Sequence, residues 1–256
     1  KRSVKTSRRR QNFVLPTACN NILLISDLHI PYHDNKAITA ALDYGIEQKI
    51  NTVVINGDLL DFHQLSRFEH DPRKRSVKEE FLDASQFLDV LRDTFPRAYF
   101  LWHYGNHDIR YEKWLMNKAP EIFDDDYYHL EERLQLIKRK IHIAQDKQII
   151  KAGQLNIMHG HTIFRGSQSP VSPGRTIFLK TKESTICGHT HKISEYTATK
   201  LNGDIITCWS TGSLCELSPD YAAHGNDYGH GFAHVKIDKH GWFSVKNMRI
   251  HNGRIL

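Results

Sequence analysis

The strongest constraint on this chain is an ordered series of five short polar blocks: Asp27-Leu28-His29, Gly57-Asp58, Gly105-Asn106-His107-Asp108, His159-Gly160-His161 and Gly188-His189-Thr190-His191. Most of them follow directly on a short, mostly apolar run, at residues 22–26, 53–56, 98–102, 155–158 and 184–187, and such runs read as β-strands. The blocks therefore stand at strand C-termini. That is where open α/β sheets gather their chemistry, so an α/β fold with a site along one sheet edge is expected.

The segments between the blocks fill in this plan. Residues 35–48 carry Ala37, Ala41, Leu42 and Ile46 on one helical face, which with the flanking strands makes a βαβ unit. A second helix is expected near 78–94. Helices are expected again over 109–137, burying Trp114, Leu115, Leu130, Leu134 and Ile137 and broken by the acidic turn Asp124-Asp125-Asp126. The pattern then changes to short β runs at 141–144, 148–151 and 155–158, with Lys151-Ala152-Gly153-Gln154 as a hairpin turn. A Ser/Pro/Gly loop at 166–174 leads to a short helix near 176–182. Strands follow at 193–199, 204–210, 232–237 and 242–249, the last two joined across Asp238-Lys239-His240-Gly241. The first half is thus βαβ-rich and the second mostly antiparallel.

A chain of 256 residues that is 39% hydrophobic can bury one sizeable core, and we read a single domain over 13–256. Residues 1–12 hold Lys1, Arg2, Lys5, Arg8, Arg9 and Arg10 with little apolar content, and read as a basic flexible arm or a linker to a preceding part. No apolar run approaches about 18 residues and the N-terminus lacks a secretory apolar stretch, so no membrane span is expected. Four cysteines without paired zinc spacing suit a reducing, cytoplasmic setting. The net charge of +6 favours an anionic partner, and an excess this modest is also compatible with plain solubility. The 17 histidines are the unusual number, because imidazole is the commonest transition-metal ligand.

The blocks supply what a two-metal hydrolytic centre requires: fixed donors for two ions about 3.5–4 Å apart. Asp27 and His29, two residues apart, can turn toward one ion, and Asp58 offers a carboxylate suited to bridging, with Gly57 allowing a tight exit from the strand. Asn106 adds an amide oxygen, His159 and His189 add imidazoles, and His191 can face the opposite ion. Mixed nitrogen and oxygen donors favour manganese, iron, zinc, cobalt or nickel over a pure magnesium or calcium site. Taken alone, Asp27 and His29 would better suit a cap for the helix that follows, a preference that five blocks in order reverse.

The ordered set DxH, GD, GNHD, HGH and GHxH resembles the calcineurin-like metallophosphoesterase superfamily over residues 21–191. The resemblance implies a four-layer sandwich in which two mixed β-sheets are flanked by helices, with the chain after 191 returning to the second sheet. It also implies two divalent transition-metal ions, manganese being favoured. Asp27, His29, Asp58 and His191 would hold one, and Asp58, Asn106, His159 and His189 the other. His107 would face the substrate phosphate as a catalytic residue, with Asp108 beside it as orienting partner, while Asp61 is expected to hydrogen-bond nearby. Segments 212–215 and 228–232 fall where family members add loops around the site.

A family of this kind hydrolyses phosphoesters. Its Ser/Thr protein phosphatases carry an arginine after the second Asp of the GDxxD block and Glu in place of the GNHD Asp; Phe62 and Asp108 stand there, which argues against that branch. The chain looks more like the compact phosphoesterases of bacteria and phages. Arg110, His63 and His161 are the candidate substrate contacts, Arg110 because a guanidinium can bond phosphate through two parallel N–H groups. The basic arm and the polar loop at 67–75 tilt the substrate toward a DNA, RNA or nucleotide phosphodiester. The alternatives are a small-molecule phosphomonoesterase or cyclic-nucleotide phosphodiesterase, and a binding scaffold without chemistry.

Overall fold

The computed structural model describes residues 11–66, 76–165, 170–218 and 225–256. Residues 1–10 of the basic arm, the 67–75 loop, residues 166–169 and His224 lie outside the described residues. The described strands are β1 (Phe13–Val14), β2 (Asn21–Ile25), β3 (Thr52–Asn56), β4 (Tyr99–His103), β5 (Ile141–Ala144), β6 (Ile150–Ala152), β7 (Leu155–Met158), β8 (Thr185–Cys187), β9 (Ser194–Thr199), β10 (Ile205–Ser210), β11 (His230–Ile237), β12 (Phe243–His251) and β13 (Arg254–Ile255). The α-helices are α1 (Asn35–Glu47), α2 (Val77–Thr94), α3 (Ile109–Lys118), α4 (Leu130–Arg133) and α5 (Pro173–Thr181).

The strands form two mixed sheets, one ordered β13-β12-β11-β2-β3-β4-β5 and the other β1-β6-β7-β8-β10-β9. Side-chain alternation builds the layers. Ile22, Leu24, Val54 and Leu101 point into a core shared with Ile150, Leu155, Ile157, Ile186 and Trp209 of the facing sheet. Their neighbours Leu23, Ile25, Val53, Ile55, Phe100 and Trp102 point the other way, onto Ala37 and Ala41 of α1, Phe81, Leu88 and Leu91 of α2, and Tyr111 and Leu115 of α3. On the outer face of the second sheet Cys187, Ile206 and Cys208 pack on Ile177 of α5. The result is the four-layer α/β sandwich. Strands buried on both faces must be apolar throughout, which is why these runs show no polar alternation.

Two expected core positions, Trp114 and Ile137, are corrected, and Ile46 on the apolar face of α1 is left uncovered. Ile46 is 53% exposed, Trp114 39% and Ile137 79%. Ile46 sits in the last turn of α1, beyond the stripe that meets the sheet, and Ile137 falls after α4 has ended, in turns where helical spacing no longer decides burial. Helix α5 begins at Pro173, earlier than expected, because proline suits the first helical turn, where its absent N–H has no partner to lose. The short β1 and β13 were not expected. After residue 191 the chain first completes the second sheet with β9 and β10, and only then crosses to the first sheet as β11, β12 and β13. By contrast α2 starts with a full capping box: Ser76 Oγ accepts from Glu79 N–H at 3.3 Å, and the Glu79 carboxylate accepts from Ser76 N–H at 2.8 Å.

Candidate metal centre

Strands β2, β3 and β4 are parallel, as are β7 and β8, so the five blocks leave neighbouring strands at one edge of each sheet. The blocks are tied to one another before any side chain reaches a ligand. Asp27 N–H donates to Gly57 O at 3.1 Å and His29 N–H to Asp58 O at 3.0 Å, joining the first loop to the second. The Asp108 carboxylate accepts from the N–H groups of Asp58 (2.9 Å), Leu60 (3.1 Å) and Gly105 (2.8 Å), joining the second to the third. Gly188 N–H donates to His159 O at 2.9 Å, and His189 N–H to Asp27 Oδ2 at 2.8 Å, which closes the set.

This packing forces unusual backbone. Asp27, His29, Asp58, His189 and His191, five of the seven expected donors, have φ between 48° and 69°. A left-handed conformation away from glycine costs of order 1–3 kcal/mol per residue and survives only where the surroundings over-determine it. Each fully buried Leu or Ile beneath these loops contributes roughly 1.5–3 kcal/mol, enough to carry that strain. Gly57 has φ 89°, and a Cβ there would lie 2.3 Å from His159 Nδ1. At Gly105 a Cβ would lie 2.2 Å from Asp58 Oδ1. Both motif glycines therefore keep space for a donor.

All seven expected donors converge. His29 Nε2 is 3.1 Å from His191 Nε2, 3.9 Å from Asp58 Oδ2 and 4.0 Å from Asp27 Oδ1. Asp27 Oδ1 lies 3.5 Å from His191 Nε2. On the other side His159 Nε2 is 3.0 Å from Asp58 Oδ2 and 3.2 Å from Asn106 Oδ1, and His189 groups with Asp58 and His159. Asp58 is thus common to both ends. Asp27 Oδ1 is fully buried and has no hydrogen-bond partner among the described residues, although imidazole nitrogens surround it. A buried carboxylate oxygen left in that state is costly unless a cation completes it, so the residues present fit divalent metal.

The electrostatics agree. Burial opposes the charge of Asp27, but the neighbouring His191 outweighs it and holds the carboxyl at about 2. Burial likewise opposes ionisation of Asp58, and His159 and His107 nevertheless bring it well below the usual carboxylate range. Against its own burial, His159 is raised to about 9 by Asp58, while burial and the neighbouring His159 push His189 down to about 3. Two ionised carboxylates buried among imidazoles suit a divalent cation, and His159, which favours its proton here, would release it on binding one.

The third block behaves differently from the sequence reading. Among the described residues the Asp108 carboxylate bonds three backbone N–H groups while the His107 ring bonds Asp61 and Arg110, so the expected orienting role of Asp108 is corrected. It is buried beside Asp58, which pushes its carboxyl up to about 7. The orienting carboxylate is Asp61, whose Oδ1 lies 2.9 Å from His29 Nδ1 and 3.0 Å from His107 Nδ1. His107 Nδ1 also lies 2.9 Å from the Asp61 carbonyl, and Arg110 donates to that carbonyl at 2.9 Å while its Nη2 stands 3.0 Å from His107 Nε2. His161 comes to the edge of the centre, its ring 5.6 Å from that of His159 and its Nε2 2.9 Å from Asp146 Oδ1. His63 begins a short 3₁₀ turn past Asp61 and is not among the donor groups that the described residues form. Phe62 is fully buried and stacks on Tyr111. Cys215 and Asp146 were not singled out as site residues; they lie far from the blocks in sequence and carry no motif.

The sequence model of the family described as calcineurin-like phosphoesterase matches residues 21–193. The Gene 54 protein of Mycobacterium phage L5 is 28% identical over 182 residues, spanning 67% of this chain and 69% of the phage protein. Among solved structures, the Yfce phosphoesterase from E. coli is similar with a TM-score of 0.44 at 15% identity, covering 92% of this chain and 96% of that one. A Vps29 single mutant from Entamoeba histolytica gives a TM-score of 0.46 at 17% identity, over 92% and 96% respectively.

Proposed function

The chain belongs to the calcineurin-like phosphoesterase family, and from that premise we propose that it is a two-metal phosphodiesterase acting on nucleic acid or nucleotides. The observation that carries the metal reading is Asp27 Oδ1, buried and unpartnered among imidazoles, in a cluster whose other donors share Asp58. Asp27, His29, Asp58 and His191 would hold one ion, and Asp58, Asn106, His159 and His189 the other. When bound, such ions supply Lewis acidity toward phosphate oxygens and lower the pKa of water, manganese, iron, zinc, cobalt and nickel all suiting the donors.

The chain's own residues supply the rest. His107 N–H donates to Asp58 Oδ1 at 2.8 Å, which fixes the third loop against the shared carboxylate. With Nδ1 donating to the Asp61 carbonyl, Nε2, here facing Arg110 Nη2, is the nitrogen that would exchange a proton with the leaving oxygen once Arg110 turns to the phosphate. Arg110, beside that Nε2, can bond a non-bridging phosphate oxygen. Asp61 holds His107 and His29 in one orientation, so the proton-carrying and donor imidazoles are set by one carboxylate.

A net charge of +6 supports an anionic polymer or nucleotide as substrate. The test is hydrolysis by manganese-loaded protein of bis-p-nitrophenyl phosphate against the monoester, beside labelled single- and double-stranded DNA and RNA and cyclic nucleotides. The diester and an oligonucleotide are expected to be cleaved. Preference for the monoester would replace the diesterase reading with a phosphomonoesterase, and cleavage of no substrate would leave a binding scaffold.

A further inference from the structure

Each metal-facing histidine needs its second ring nitrogen fixed, because that bond sets both the tautomer and the direction in which the first nitrogen points. His29 rests its Nδ1 on the Asp61 carboxylate at 2.9 Å, and His159 rests its Nδ1 on the Asn56 carbonyl at 2.8 Å. His191 faces Asp27 and His29 through Nε2, and the atom beside its Nδ1 is the sulfur of Cys215, at 3.8 Å.

Cys215 is held in place by its neighbours on both sides. Leu214 N–H donates to Asp27 O at 3.2 Å and Glu216 N–H to Tyr32 O at 2.7 Å, so the segment between β10 and β11 is stitched onto the first block. His230 Nε2 lies 2.9 Å from the Cys215 carbonyl, which anchors the same segment to β11. The His191 ring also packs against Tyr228, with centroids 4.6 Å apart, and Gly229 N–H donates to His191 O at 2.8 Å. Cys215 itself is 3% exposed, so its sulfur is shielded from bulk water. The two segments that family resemblance left without a role, 212–215 and 228–232, thus form one wall around His191.

We propose that Cys215 is a positioning residue for the metal centre: its sulfur accepts the Nδ1–H of His191 and so aims His191 Nε2 at the ion held with Asp27 and His29. The proposal rests on the metal-centre reading given above. Sulfur stands here where His29 has a carboxylate and His159 a backbone carbonyl. A weaker acceptor holds the ring less firmly than either of those.

The test is manganese and cobalt binding to the full chain, read by calorimetry and by the visible spectrum of the cobalt form, in wild type, Cys215→Ala and Cys215→Ser. Wild type is expected to bind two ions. Cys215→Ala should weaken one of them by about 10- to 100-fold and leave the other unchanged, the range typical for loss of such a supporting bond. Cys215→Ser, which keeps an acceptor, should recover part of that loss. Equal binding of both ions in all three proteins would overturn the proposal, and so would equal weakening of both ions in Cys215→Ala without recovery by serine. A sulfur-to-cobalt charge-transfer band in wild type that serine abolishes would also overturn it, by making Cys215 a direct ligand. A wild-type chain that binds no metal would instead remove the metal-centre reading itself.

Discussion

The two ends of the donor cluster are supported in different ways. At the end formed by Asp27, His29 and His191, the imidazoles lean on side chains, Asp61 and Cys215, that come from separate loops. At the other end His159 leans on the Asn56 main chain and touches Asn106 directly. Main-chain support comes with the strand itself, since Asn56 is the last residue of β3. Side-chain support has to be supplied by particular residues, and substitution can remove it. The first end is therefore the one whose geometry point mutations can loosen selectively.

The largest effect is expected where the ends meet. Asp58→Asn removes a carboxylate shared by both, and diester hydrolysis should fall by at least about 10²-fold with loss of bound metal, as judged by activity and elemental analysis. Retention of both would separate the ends and break the comparison. A smaller loss, about 10- to 100-fold, is expected for Asp61→Asn, with metal lost from one position. Loss from both positions alike would mean that the two ends are one unit. Gly57→Ala probes the main-chain end, since the added methyl meets His159 at a positive φ; a loss of about 1–3 kcal/mol in denaturant stability is expected.

The smallest effect belongs to a pair outside the centre and serves as its control. His129 lies 3.1 Å from the Glu112 carboxylate; burial works against its charge, but Glu112 outweighs burial and raises its pKa. A histidine whose folded pKa is raised stabilises fully below its unfolded value and loses that contribution as pH rises through the folded one. His129→Gln should thus be less stable than wild type by up to about 1 kcal/mol near pH 6, and the gap should narrow by pH 9. Hydrolysis at fixed metal should not change.

The sequence made the donors legible because their chemistry is carried by residue type and their location by the ends of apolar runs. The order of strands and helices pointed to a layered α/β fold, and the four layers came only from the family resemblance. What could not be read was the support. Nothing in spacing links His191 to Cys215, or His161 to Asp146, since both contacts arise only when loops from distant strands meet. Asp108 misled for the opposite reason: adjacency to His107 suggested a partnership, but a left-handed Asp58 turns the second loop's N–H groups toward the Asp108 carboxylate, which they saturate. Trp114 and Ile137 were misplaced, and Ile46 was left uncovered, because helical periodicity says which residues share a face and does not say where the covering layer ends.

The most direct test is a crystal of the chain soaked in manganese and measured for anomalous scattering. Two peaks are predicted, one bounded by Asp27, His29 and His191 and the other by Asn106, His159 and His189, with Asp58 between them. A single peak, or manganese bound elsewhere with Asp27 Oδ1 still unpartnered, would contradict the account.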